Sequence, residues 1–535
     1  MNTENPSFNR RQTLWQAIQD GDKNWDMVIV GGGIIGAGIL REAARRGLKA
    51  LLVEQRDFAW GTSSRSSKMV HGGLRYIAQG DIRLTRHSLS ERERLIVEAP
   101  GLIERMGYYF TLRKGQFPGR FLFSVLLSLY DALAGIRNHR YFNKAAVEKH
   151  FPGLNCQGLK GAVYYTDTVT DDARLVLRVL QSAIEAGGLA MNYVRADSLI
   201  REGGSVCGVR ISDVEGGGQL EIRSKSVINA TGAWADRLRN EINPEVRVRP
   251  LRGSHLVIPM HRLPVADALT LLHPVDKRPV FIFPWEGSTV IGTTDLDHKE
   301  DIDAEPGISV EELNYLLAVV EALFPEHGIG RDDVISSYSG VRPVICSDKS
   351  RDPSKERRDH AVWSDEGLVT VAGGKLTTFR LIALDAIAAA TPNLGNLASR
   401  EPTDTVFPEP RISAGGLNTA DKKWAQRLIG RYGDCAKPLL YEASDAERRK
   451  IGSTEFCLAE CRWAARNESV IHLDDLLLRR TRLGSLLERG GEALFPVLEE
   501  ICEEELGWDG TRWQGEVARY RDIWHSHYYL PDDRA

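Results

Sequence analysis

The chain has 535 residues, which at roughly 150 per domain is room for three to four domain-sized units. Its 42% hydrophobic and 27% charged residues are ordinary for a globular protein and exclude a disordered, collagen-like or coiled-coil chain. With 69 basic against 73 acidic side chains the net charge is −4, so the whole molecule is not steered to nucleic acid and no such partner is expected.

The first 26 residues hold no apolar run of the signal-peptide kind. Residues 26–30, DMVIV, read as a short buried strand. A G-x-G-x-x-G run follows on Gly31, Gly33 and Gly36. A helix is predicted over 34–46, stopped by Gly47, and a second strand over 50–53, closed by Glu54. Strand, glycine turn, helix, strand and acid in this order form a dinucleotide-binding fingerprint. The first glycine permits the turn, the second admits the pyrophosphate and the third lets helix and strand pack. The helix N-terminus offers N–H groups to phosphate, and Glu54 suits a ribose diol.

Downstream, 121–136 (FLFSVLLSLYDALAGI) is apolar but too short to span a bilayer, and reads as a buried helix or one lying in the membrane interface. A helix is predicted over 171–186. Strands are predicted over 206–211 and 219–222, joined as a hairpin, and over 226–230. Residues 247–342 turn strand-rich, as an antiparallel sheet shielding one side of a ligand would. Residues 401–416 read as a linker, followed by a helical tail packed by Trp463, Trp508, Trp513 and Trp524. Seven cysteines lack a C-x-x-C pair, so reduced thiols and no metal site are expected.

Several distant glycine-containing segments suit one extended ligand: GTSSRSSK (61–68), HGGLRY (71–76), NATGAWAD (229–236) and AGGKLTTFR (372–380). That pattern favours FAD over NAD. A second G-x-G-x-x-G is missing, so the electrons come from the substrate itself.

These motifs resemble the FAD-dependent, quinone-linked glycerol-3-phosphate dehydrogenases. The resemblance runs from residue 25 to 529. It is carried by GGGIIGAG (31–38), TSSRSSKMVHGGLRY (62–76), DDARL (171–175), NATGAWAD, RGSH (252–255), IGTTD (291–295), YSGVRP (338–343), GGKLTTFR (373–380) and DDLLLRRTRLG (474–484). It implies an α/β fold: an FAD-binding, two-dinucleotide-binding (Rossmann-like) domain, an antiparallel substrate sheet and a C-terminal helical domain. The expected divisions are 1–400, with the sheet mainly from 77–170 and 240–345, a linker at 401–416, and 417–535. It also implies oxidation of sn-glycerol 3-phosphate to dihydroxyacetone phosphate, electron delivery to quinone, peripheral contact with the inner face of the cytoplasmic membrane, and a homodimer.

The reaction needs a held phosphate dianion, a base for the C2 hydroxyl and a hydrogen facing flavin N5. Arginine suits the first because its fork matches phosphate oxygens. By motif position Arg75, Arg342 and Lys375 contact substrate, with Arg358 a further contact; His360 stands where the family has an aromatic. Tyr76 lines the pocket, and Thr294 and Asp295 organise it. His255 is the first choice of base and His71 the second, with an alkoxide-stabilising arginine as the alternative. The expected FAD ligands are Gly31, Gly33, Gly36, Glu54, Thr62, Ser63, Ser67, Lys68, Gly73, Gly232, Lys375 and Leu376. Competing readings are an oxidase using O2, an amine or amino-acid oxidase on the same scaffold, and a non-catalytic flavin-binding module.

Overall fold

A strand apolar on both faces must lie inside a sheet covered on both sides. DMVIV meets that need. Strand Asn24–Val30 runs parallel to Ala50–Val53 on one side and to Gln219–Asn229 on the other, and Leu368–Gly373 joins parallel beyond. The computed structural model describes residues 11–21, 24–74, 77, 81–115, 119–346, 359–395, 405–413 and 419–531. Within them these strands form an eight-stranded sheet, completed by Leu189–Met191, His360–Asp365 and the hairpin Val194–Glu202/Ser205–Asp213. The two strands expected at 219–222 and 226–230 are one. Ser224 faces inward while Lys225 faces out, so the polar stretch between them keeps the strand alternation.

The fingerprint helix, Ile34–Arg45, packs on Asp172–Glu185 and Phe379–Leu394 to cover one face of this sheet. Asp171 caps the second of these, accepting from the Arg174 amide.

A second sheet has nine strands, drawn from Ile103–Arg113, Arg140–Asn143, Leu159–Thr170 and six between Val248 and Ile345. It is antiparallel as expected, except where Ala268–Leu272 meets Ile103–Arg113 in parallel. That pairing joins the two sequence-distant halves of the sheet. Its far edge carries the site. Strand Val248–Pro259 (RGSH) lies between Ser288–Gly292 (leading into TTD) and Ser336–Ile345 (YSGVRP).

The C-terminal helices share a core with the second sheet, in which Tyr108, Trp285 and Tyr338 meet Leu476, Leu477 and Leu483. Trp513 and Trp524 are buried in it, while Trp463 and Trp508 are half-buried. The described part of the expected linker is pinned: Val406 and Phe407 are buried, and both amides donate to Glu98.

The apolar 121–136 stretch forms helix Arg120–Ala134, buried on one face only. Phe123, Leu127 and Tyr130 face inward. Phe121, Leu122, Val125 and Leu129 face out, Phe121 at 83% exposure. Among the described residues no helix is long and apolar enough to cross a membrane.

Candidate active site

Eight of the expected cofactor residues line one cavity of about 370 Å³: Gly31, Gly33, Glu54, Thr62, Ser63, Gly232, Lys375 and Leu376. Their chemistry matches a dinucleotide along its length. The Ser63 hydroxyl accepts from the Ile34 amide at 3.0 Å, so hydroxyl and helix N-terminus share one spot. Glu54 lies on the other side of the glycine turn, accepting from the Gly32 and Arg56 amides at 2.7 and 2.9 Å. Burial raises its pKa, and a ribose diol would offer this carboxylate further donors. Lys375 brings a half-buried cation. The donor set fits FAD.

Next to this cavity three strand motifs interlock through their glycines. A Cβ on Gly253 of RGSH would lie 2.5 Å from the Arg342 guanidinium. One on Gly292 of IGTTD would lie 2.1 Å from the His255 ring. One on Gly340 of YSGVRP would lie 2.5 Å from the Arg65 carbonyl, in the loop that carries Thr62 and Ser63. Each glycine makes room for a neighbouring motif. The register explains it: Gly253 pairs with Gly340, His255 with Tyr338 and with Gly292, and Leu251 with Arg342.

The side chains gathered there are ionic. Arg342 donates to Asp295 at 3.0 Å and to the Thr293 hydroxyl at 3.1 Å, and Pro343 beside it lines the cavity. His255 is buried, its Nε2 3.0 Å from the Ser67 hydroxyl and its ring stacked on Tyr338. Its Nδ1 is buried and makes no hydrogen bond. Burial, reinforced by the positive charges of Arg342 and Lys68, holds its pKa well below the ordinary histidine value. The ring is therefore neutral at pH 7.

Comparison with known proteins fits this arrangement. The family model for FAD dependent oxidoreductases matches residues 26–380, and that for the C-terminal domain of alpha-glycerophosphate oxidase matches 395–513. Glycerol-3-phosphate dehydrogenase 2 of Mycobacterium bovis is 35% identical over 531 residues, covering 96% of this chain and 89% of its own length. The aerobic glycerol-3-phosphate dehydrogenase of Bacillus subtilis is 33% identical, with 90% of each chain covered. The solved glycerol-3-phosphate dehydrogenase of Bacillus halodurans, complexed with FAD, superposes with a TM-score of 0.73 at 28% identity, over 97% of this chain and 98% of its own. The chain belongs to the FAD-dependent glycerol-3-phosphate dehydrogenase family.

FAD is the cofactor of this family member. Four residues expected beside it are placed elsewhere in the dehydrogenase. Gly36 faces the Gly31 carbonyl, where it serves the packing of helix on turn. Ser67 turns to His255. Gly73 is buried, with φ +80°, outside the cavity lining. Lys68 is 1% exposed, and its ammonium goes to Asp172 at 2.9 Å and the Ser64 carbonyl at 2.7 Å. Burial pushes its pKa down to about 7, with the Arg482 charge adding to the effect and Asp172 opposing it. The buried Asp172 carboxylate needs a counter-charge, which Arg482 at 2.8 Å supplies together with Lys68.

His71 lies half-buried, its carbonyl accepting from Thr377 at 3.2 Å. Thr294 is buried against Glu312. Arg75, Tyr76 and Arg358 fall outside the described residues. Sequence reasoning missed Ser66, Trp60 and Trp234 in the cavity lining, and Thr293 against Arg342. Trp60 and Ser66 stand in or beside the Ser/Thr cluster, and Thr293 inside IGTTD, so proximity to a motif was the available signal.

Proposed function

We propose that this chain oxidises sn-glycerol 3-phosphate to dihydroxyacetone phosphate by hydride transfer to flavin N5, with a membrane quinone as final acceptor. The interlocking of RGSH, IGTTD and YSGVRP at the cavity edge carries the reading, because it brings a cation, a neutral imidazole and a carboxylate to one place. When bound, FAD supplies the two-electron acceptor.

Arg342 and Lys375, with Arg75 and Arg358, hold the phosphate dianion. His255 takes the C2 hydroxyl proton. With Nε2–H given to Ser67, Nδ1 is the accepting atom, and the lowered pKa keeps it unprotonated. His71 is the second candidate for this role. Arg342 also stabilises charge developing on the C2 oxygen. Thr294 and Asp295 organise the pocket and Tyr76 lines it. Gly31, Gly33, Glu54, Thr62, Ser63, Gly232, Lys375 and Leu376 hold the cofactor.

Contact with lipid is proposed through helix Arg120–Ala134. Its exposed row of Phe121, Leu122, Val125 and Leu129 is flanked by exposed Lys114, Arg137 and Arg140, a combination that suits an anionic bilayer surface.

Anaerobic titration of the yellow protein with sn-glycerol 3-phosphate tests the reading. Bleaching reversed quickly by a soluble quinone and slowly by O2 is the expected result. Fast reversal by O2 with peroxide formation favours an oxidase, the activity named in the matching C-terminal family model. No bleaching removes the substrate assignment.

A further inference from the structure

We infer that Glu312 is a positioning residue for Arg342: through Thr294 and Ser254 it fixes the IGTTD turn that holds the guanidinium. The inference rests on the phosphate-binding role proposed for Arg342.

Glu312 stands at the third position of helix Val310–Leu323 and completes a capping box with Ser309. The Ser309 hydroxyl accepts from the Glu312 amide at 3.2 Å, and Glu312 Oε2 accepts from the Ser309 amide at 3.1 Å. A capping box accounts for one oxygen only. This carboxylate is 2% exposed, and its other oxygen is turned to the site. Oε1 accepts from the Thr294 hydroxyl at 2.6 Å and from the Ser254 hydroxyl at 2.8 Å. The Arg252 guanidinium lies 3.1 Å from Oε2 and balances the charge. Thr294 Oγ1 in turn accepts from the Ser254 amide at 2.9 Å.

One buried carboxylate thus ties the RGSH strand to the IGTTD turn. Thr293 and Asp295, on either side of the tied Thr294, both contact Arg342. Loss of the carboxylate leaves the buried Thr294 hydroxyl without its acceptor, and Ser254 with the Ser339 hydroxyl at 2.7 Å alone, an unfavourable state that the turn relieves by shifting. A shift at Thr294 moves these two contacts with Arg342 together. The fork then meets an anion in a poorer geometry, whether the anion is free or part of a substrate.

The test compares wild-type holoenzyme with Glu312→Met, which removes both acceptor oxygens at similar length, and with Ser309→Ala and Arg342→Ala. Each is read by steady-state kinetics with sn-glycerol 3-phosphate and by calorimetric titration with inorganic phosphate. Glu312→Met is expected to raise KM at least about tenfold, with kcat within about threefold and FAD content unchanged, the pattern of lost ground-state binding. Phosphate affinity should fall by a similar factor. Ser309→Ala cuts the helix cap but leaves the bonds to Thr294 and Ser254, so it should change neither. Wild-type KM and phosphate affinity in Glu312→Met would overturn the inference. So would a Ser309→Ala variant that matches Glu312→Met, because the effect would then pass through the helix. If Glu312→Met gives no holoenzyme, Glu312→Asp carries the same comparison, with raised values supporting and wild-type values refuting. Wild-type enzyme that binds phosphate through Arg342 yet is not reduced by sn-glycerol 3-phosphate would sink the substrate assignment alone. Phosphate binding indifferent to Arg342→Ala would sink the inference.

Discussion

Replacing Asp57 with asparagine is expected to loosen the seam between the nucleotide sheet and the C-terminal helices. The Asp57 carboxylate is fully buried and takes four hydrogen bonds. Two come from Arg480, at 2.6 and 2.7 Å, one from Arg479 at 2.5 Å and one from the Asn192 amide at 3.0 Å. In the variant Arg479 keeps Asp474 and Asp475. For Arg480, Asp57 is the only carboxylate within ion-pair distance among the described residues. The substitution therefore strands a buried guanidinium, at a cost of about 3–5 kcal/mol. In a cooperative unit of 150–250 residues each kcal/mol lowers Tm by about 2–4 °C, so a fall of at least roughly 6 °C is expected. Differential scanning calorimetry of the holoprotein reads it. Replacing Arg480 by methionine in the same chain removes the stranded charge and should recover most of the loss. A single variant melting within about 1 °C of wild type would refute the reasoning, as would a double variant less stable than the single one.

Other expectations concern the cofactor turn, the phosphate cation and pH. A Cβ at Gly36 would lie 1.9 Å from the Gly31 carbonyl, so Gly36→Ala should displace helix from turn by about 1 Å, cost about 1–3 kcal/mol and sharply lower FAD content, read as the ratio of flavin to protein absorbance. Arg342→Ala should raise KM roughly a hundredfold while the protein stays yellow, and unchanged kinetics would remove Arg342 from the site. His472 bridges Glu516 at 2.9 Å and Glu215 at 3.1 Å, joining the C-terminal helices to the turn between strands Ser205–Asp213 and Gln219–Asn229. Burial works to lower its pKa, but the hydrogen bonds to the two glutamates prevail and raise it to about 9. The protonated form is thus favoured by folding. Its stabilisation, about 3 kcal/mol, is complete below about pH 6.5 and lost as pH rises through 9. Denaturant titrations across that window should show the decline in wild type and a flatter profile in His472→Gln.

The nucleotide fingerprint was legible because its signals are local. Strand Ala50–Val53 is a short unbroken apolar run and Gly47 a glycine where the helix must stop at positive φ, and both signals lie within a few residues. The substrate side was legible only as motifs. Nothing in RGSH announces that its glycine leaves room for Arg342, since that follows from a pairing of Gly253 with Gly340 set by the whole sheet. Lys68 was misplaced for the same reason. A lysine in a serine-rich loop looks like a phosphate ligand until the buried Asp172, more than a hundred residues on, is seen to claim it. Glu312 carried the signature of a helix cap, and the sequence gives no sign that its second oxygen faces the site. Helix Arg120–Ala134 presented a uniform apolar run, and only its packing divides that run into a buried and an exposed face.

The walls of the cavity assigned to FAD by the proposed function come from residues that include Gly31, Thr62, Gly232 and Lys375. Synthesis runs from the N-terminus, so the pocket cannot exist on the ribosome until its last wall has emerged. Before then the paired strands Asn24–Val30 and Ala50–Val53 wait with an open edge for Gln219–Asn229, which must itself await Leu368–Gly373. Cofactor loading is thus a late event that follows nearly complete translation of the catalytic part. A nascent chain stalled short of Lys375 is a flavin-free chain with exposed strand edges, exposed to aggregation during the interval that its non-local topology imposes.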